Sequence, residues 1–205
     1  SLAFSASDYV TMGDADVFTI NDSGADRGFS FSAWIKTSTT RTFIVKKYTG
    51  AQVEWLTQVG RFGELDFHVY GNDTPGINQK LTTDKNYGSF IDISDGNWHH
   101  IAGSFNLADA NTSMILYVDG NQLIEGAGAD YVNAGTWSAS INTTAPLEMS
   151  DSGGGSNFIG NMDEVSLFDD VLSAAQVTAI YNSGTPTDLS GESYLLGWWR
   201  NGDTA

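Results

Sequence analysis

The sequence predicts an all-β architecture of antiparallel strands, and three observations carry that prediction. The stretch Asp95–Gly120 holds two runs rich in β-branched and aromatic residues, Trp98–Phe105 and Met114–Val118. It closes on Asp119-Gly120, a dipeptide that turns hairpins between apolar runs. Phe29–Lys36 alternates cleanly, with Phe29, Phe31, Ala33 and Ile35 on one face and Ser30, Ser32, Trp34 and Lys36 on the other. Finally, 23 Gly against 3 Pro suits many short strands joined by tight turns. With 205 residues, 40% of them hydrophobic, and 6 Trp, 8 Tyr and 11 Phe, the chain can build one substantial core. A single domain over 1–205 is expected.

In order, residues 2–12 read as a strand broken at Ser7-Asp8, and 13–28 as an Asp-rich solvated connection. The spacing of those acids does not fit an EF-hand loop. Strands are then expected at Phe29–Lys36, Arg41–Tyr48, Val53–Val59 and Glu64–Tyr70, with a loop at Gly71–Gly76. Residues 77–94 carry one strand and a rim loop. After the central hairpin, Gln122–Ile124 continues a strand, Gly126–Ser140 forms a long loop with Tyr131 and Trp137, and Pro146–Met149 is a strand. A glycine-rich turn at Asp151–Ser156 leads to the last strong strand, Phe158–Phe168. One helix is expected, Ser173–Asn182. Ser173 and Gln176 form a capping box, Val177, Ile180 and Tyr181 give an apolar face, and Gly184 can terminate it. Tyr194–Trp199 is a final apolar strand.

Three stretches carry a resemblance. Trp98-His99-His100-Ile101-Ala102 followed by Leu116-Tyr117-Val118-Asp119-Gly120, FSFSAWIKT at 29–37, and FIGNMDEVSLFDDVLSAAQV at 158–177 resemble the laminin G-like, concanavalin A-like lectin/glucanase family. The resemblance implies a jelly-roll antiparallel β-sandwich of two curved sheets with one short C-terminal helix. It also implies a module of a larger extracellular, cell-surface or virion protein. In the family, an acid at the position of Asp163 helps to bind a structural calcium, with further ligands from the opening loop, here around Asp8. Asp163 shares the parity of Val165 and Leu167, which reads as core-facing, and a carboxylate aimed inward needs a compensating partner. Backbone amides are the other candidate for that partner.

Charge narrows the partners. Twenty-five acidic residues against 9 Lys plus Arg give a net charge of −16, which repels nucleic-acid phosphates and anionic membranes. No cysteine is present, so disulfide, thiolate-zinc and thiol chemistry are excluded. No apolar run is long enough for a membrane span. The strand-like opening shows no signal peptide, and a piece excised from a longer protein is expected. Gly-x-Ser-x-Gly is absent, and Gly153-Gly154-Gly155 lacks the Lys and helix of a phosphate loop. His99 and His100 are adjacent on a strand and so point to opposite faces.

Candidate site residues cluster on Gly63–Tyr70. Alternation puts Glu64, Asp66 and His68 on one face, where two carboxylates could flank a glycosidic bond. The glucanases of the clan carry a third acid on this strand, and His68 stands in its place. The same face reads as a sugar platform: Trp55, His68 and Tyr70 to stack on ring faces, Asp66 to take hydroxyls, and Trp137 from a rim loop. The expected function is therefore non-catalytic binding of a carbohydrate or cell-surface glycan on the concave sheet face or the loops. A structural or protein-interaction domain, and a glycoside hydrolase working through Glu64 and Asp66, are the rivals.

Overall fold

A computed structural model describes the chain except residues 21–27, 50–51, 71–77, 84–89, 107–113, 124–128, 134–141, 152, 154 and 203–205. Two seven-stranded antiparallel sheets face each other. The first runs β1(Leu2–Phe4), β13(Gly160–Phe168), β3(Gly28–Thr37), β8(Trp98–Asn106), β9(Met114–Val118), β10(Asn121–Leu123), with β14(Leu195–Trp199) also paired to β13. The second runs β11(Ala129–Asn133), β7(Asn78–Thr83), β6(Leu65–Tyr70), β5(Val53–Val59), β4(Thr42–Tyr48), β12(Leu147–Ser150), β2(Tyr9–Gly13). This is the concanavalin A-like β-sandwich that the sequence pointed to.

The core between the sheets is built mainly from one parity of the long strands, with bulges shifting it in β4 and β13. Phe29, Phe31 and Ile35 of β3 meet Trp55 of β5 and Leu65, Phe67 and Val69 of β6, all buried. Phe29 tilts against Trp55 at 4.8 Å and Phe31 meets Phe67 edge-on at 5.1 Å. Such aromatic pairs add to the large apolar area already removed from water. The central hairpin forms as the sequence indicated, with Asp119 at φ 51° and Gly120 at φ 75°. A side chain at Gly120 would also strike Tyr181 at 2.6 Å, so glycine is required there twice over.

The single α-helix among the described residues, α1(Ala174–Tyr181), starts on the expected capping box. Gln176 N donates to Ser173 Oγ at 3.3 Å, and Ser173 N donates to Gln176 Oε1 at 2.9 Å. Asn182 in the left-handed region ends the helix, ahead of the Gly184 expected to do so. The helix lies on the outer face of the first sheet, where Val177 and Ile180 pack with Ala102, Tyr117, Phe168 and Leu172 as a second, smaller core.

Three expectations change. The 13–28 connection is not wholly solvated: Phe18 and Ile20 are buried in the core, and Phe18 O accepts from Trp55 Nε1 at 2.9 Å. The 126–140 region contains β11, an edge strand paired with β7. The opening strand is two strands in different sheets, separated by a turn that Asp8 closes by accepting from Ser5 N and Ser5 Oγ at 2.8 and 2.7 Å.

Candidate functional site

The predicted sugar platform on β5 and β6 divides. Asp66, His68 and Tyr70 alternate with the core residues Leu65, Phe67 and Val69, so they occupy the outer face of the second sheet, as parity required. Trp55 pairs with Val69 and is 0% exposed, so it belongs to the sandwich core. Its assignment as a ligand contact is corrected: one step of the period-2 alternation separates it from the outer face. His68 stacks on Tyr70 at 6.2 Å with rings 20° apart. Asp66 is only 2% exposed and holds its neighbours, accepting from Gln58 Nε2 at 2.8 Å and pairing with Lys80 Nζ at 3.1 Å. Burial would raise its pKa, but hydrogen bonds and the Lys80 charge prevail and hold it below the usual value. Asp66 thus organises this face rather than reaching out from it. Trp137 lies outside the described residues, and Tyr131 falls on β11.

Glu64 does not reach the outer face of β6. It precedes the strand and folds back on its own turn, where Oε1 accepts from Arg61 N at 3.0 Å and Oε2 from Phe62 N. The two carboxylates proposed for hydrolysis therefore do different structural jobs.

Asp163 differs from its predicted orientation for a clear reason. A β-bulge interrupts the pairing of β13 with β3 between Asp163 and Ser166, with Glu164 at φ 49°. The extra residue switches parity, so Val165 and Leu167 face the core while Asp163 pairs with Trp34, on the outer face of the first sheet. The carboxylate is satisfied locally: Oδ1 accepts from Glu164 N at 3.0 Å and Oδ2 lies 3.1 Å from the Ser1 amino group. Asp8 is spent on its own turn. Among the described residues no three His, Cys, Asp or Glu side chains come together to hold a metal. Asp8 and Asp163 are thus each engaged by close neighbours rather than by one another.

That same outer face carries a cleft, a cavity of about 280 Å³ lined by Trp34, Trp98, Asp163, Gly184 and Pro186. Strand register builds it. β3 alternation places Trp34 and Lys36 outward, β8 sets His100 opposite Trp34 and Trp98 opposite Lys36, and β13 brings Asp163 to the other side of Trp34. The segment after α1 supplies Gly184 and Pro186 as the wall. Trp34 is 7% exposed and stacks on Tyr181 at 5.7 Å with rings 22° apart, and it tilts against His100 at 5.3 Å. Trp98 is 39% exposed. The result is one fixed indole, one open indole and one carboxylate around a small cavity. Apolar ring faces of a ligand can stack on the indoles, and hydroxyl or ammonium groups can donate to Asp163. Neither tryptophan is among the ligand contacts expected from the sequence. The signal that pointed outward was the company Trp34 keeps, with Ser30, Ser32 and Lys36 on its face of the strand.

The two adjacent histidines of β8 are perturbed in opposite directions. His99 lies between two carboxylates, Nδ1 2.9 Å from Asp119 Oδ2 and Nε2 3.1 Å from Asp95 Oδ1, and Asp119 above all raises its pKa. His100 is buried with Nε2 2.8 Å from Ser32 Oγ, and desolvation pushes its pKa down to about 4.

Comparison with known proteins agrees with this architecture. The family model described as the concanavalin A-like lectin/glucanases superfamily matches residues 4–178, and the chain belongs to that family. The fold is similar to the binding domain of Paraclostridial Mosquitocidal Protein 1, at 16% identity and TM-score 0.62, over 89% of this chain and 42% of that one. It is also similar to domain 4 of AbnA, an extracellular arabinanase from Geobacillus stearothermophilus solved with arabinotriose, at 16% identity and TM-score 0.55, over 87% and 75%. A SAP-like pentraxin from Limulus polyphemus matches at 15% identity and TM-score 0.51, over 87% and 84%. The chain thus spans about two fifths of the mosquitocidal binding domain. No curated protein matches in sequence.

Proposed function

We propose that this domain is a non-catalytic carbohydrate-binding module that takes a saccharide in the cleft of Trp34, Trp98 and Asp163. The observation that carries the reading is the cleft itself, which joins two indoles and a carboxylate in a cavity of about 280 Å³. That combination suits a sugar ring, with an apolar face for stacking and an edge of hydroxyl donors. Similarity to a domain solved with arabinotriose supports it. The separate structural duties of Glu64 and Asp66 favour binding over hydrolysis. The parent would be a larger secreted, cell-surface or virion protein that uses this module to attach to a glycan. Among the described residues no helix is long and apolar enough to cross a membrane. Calcium has no part in this reading.

The test is a glycan array followed by calorimetry on the hits. Trp98→Ala should weaken binding about tenfold, in line with the loss of one aromatic stacking contact. His68→Ala and Tyr70→Ala should leave affinity unchanged. The reverse pattern would move the site to the outer face of the second sheet. A folded protein that binds no saccharide would make the module a structural or protein-interaction domain instead.

A further inference from the structure

We infer that the saccharide taken by this cleft bears a free, protonated amino group that pairs with Asp163; the inference rests on the carbohydrate reading above. Asp163 is the one ionisable side chain lining the cavity among the described residues. Its other walls offer indole faces, a glycine and a proline, so no side chain there carries a positive charge to balance an anionic ligand. Lys36, on the same face beside Trp98, is not among the walls. A carboxylate accepts hydrogen bonds and cannot donate them, so it selects for donors and above all for a charged donor.

The tryptophans act in the same direction. The face of an indole is electron-rich and attracts a cation held over it, which a hydroxyl cannot match. The bulge at Glu164 is the device that brings these groups together, because without it Asp163 would face the core and the cavity would be uncharged. The net charge of −16 extends the same preference to long range, drawing cationic chains toward the protein and repelling uronic, sialylated or sulfated glycans.

The experiment compares oligosaccharides of one backbone that carry an amine, an acetamide or a hydroxyl at the same carbon, presented together with acidic glycans on an array. De-N-acetylated members should bind about tenfold more tightly than their N-acetylated and hydroxyl counterparts, the scale set by one exposed ion pair and one cation–π contact. That gap should close as salt is raised and vanish in Asp163→Asn. Equal affinity for all three types, with Trp98→Ala still weakening them, would overturn the charge selection and leave the carbohydrate reading standing. A preference for the amine that survives Asp163→Asn would overturn the role of Asp163. No saccharide bound by the folded protein would end both.

Discussion

Lowering the pH from neutrality should unload stability through His100 before any carboxylate is involved. The ring is buried, tilted against Trp34 and Tyr181 at 5.3 and 5.8 Å, and its Nδ1 has no hydrogen-bond partner. Its pKa falls from 6.5 to about 4 because burial opposes the charged form, with Asp119 offsetting only part of that cost. A basic group with a depressed pKa stabilises the fold while it is neutral. Its contribution is therefore complete above pH 6.5 and is lost as pH falls toward 4. At about 1.4 kcal/mol per pH unit, that span amounts to about 3 kcal/mol.

His99, next in the chain, has the opposite sign. Its raised pKa adds stability that is complete below 6.5 and is lost as pH rises through the folded value. Asp66, Asp95 and Asp151 are held below 3.8, so their losses come at more acid pH than the His100 window. Stability should therefore peak near pH 6.5 and fall on both sides. Chemical denaturation across that range, with imidazole resonances followed by NMR, reads both the size and the assignment. In His100→Phe, which keeps a flat ring against Trp34 and Tyr181, the acid limb between 6.5 and 4 should flatten. A His100 that titrates near 6.5 in the folded protein would refute the argument, as would an acid limb unchanged in His100→Phe.

Four shorter predictions follow from the same structure. Lys47 is fully buried between Asp14 at 2.8 Å and Glu54 at 2.6 Å, so Lys47→Met should cost about 3 kcal/mol or more in urea unfolding, and adding Glu54→Gln should recover part of it. Gly120→Ala puts a methyl against Tyr181 at positive φ and should cost about 1 kcal/mol or more, with a shifted tryptophan emission as Trp34 loses its stacking partner. Ser173→Ala removes the capping box and should lower stability by about 1 kcal/mol without changing affinity for saccharide, measured by denaturation and calorimetry on one sample. Asp8 and Asp163 are both engaged locally, so calcium added to chelator-treated protein should move Tm by less than about 1 °C; a clear rise would restore the ion to the fold.

Local chemistry was legible in the chain. Alternation in Phe29–Lys36, the Asp119-Gly120 turn and the Ser173/Gln176 capping box are each settled by neighbours a few residues away, and each formed as read. What lies across space was not. Period 2 sorts a strand into two faces but does not say which face another layer will cover. Thus Trp55 entered the core against Phe29. Trp34, equally aromatic, was left on the outer face to meet Tyr181 of a helix much later in the chain. The polar run ending in Phe18 and Ile20 joined the core because the Trp55 indole and neighbouring apolar side chains received it, a contact no local pattern encodes. Asp163 shows the limit most sharply. One bulge at Glu164 reversed its parity and turned an expected inward acid into the charged wall of the cleft, since a bulge depends on how two strands pair and not on either strand alone. Short-range sterics and hydrogen bonding made most of the strands, the turn and the helix start readable from the chain alone. Tertiary packing decided which side chains became core and which became site, because burial is a property of the partner surface as much as of the residue.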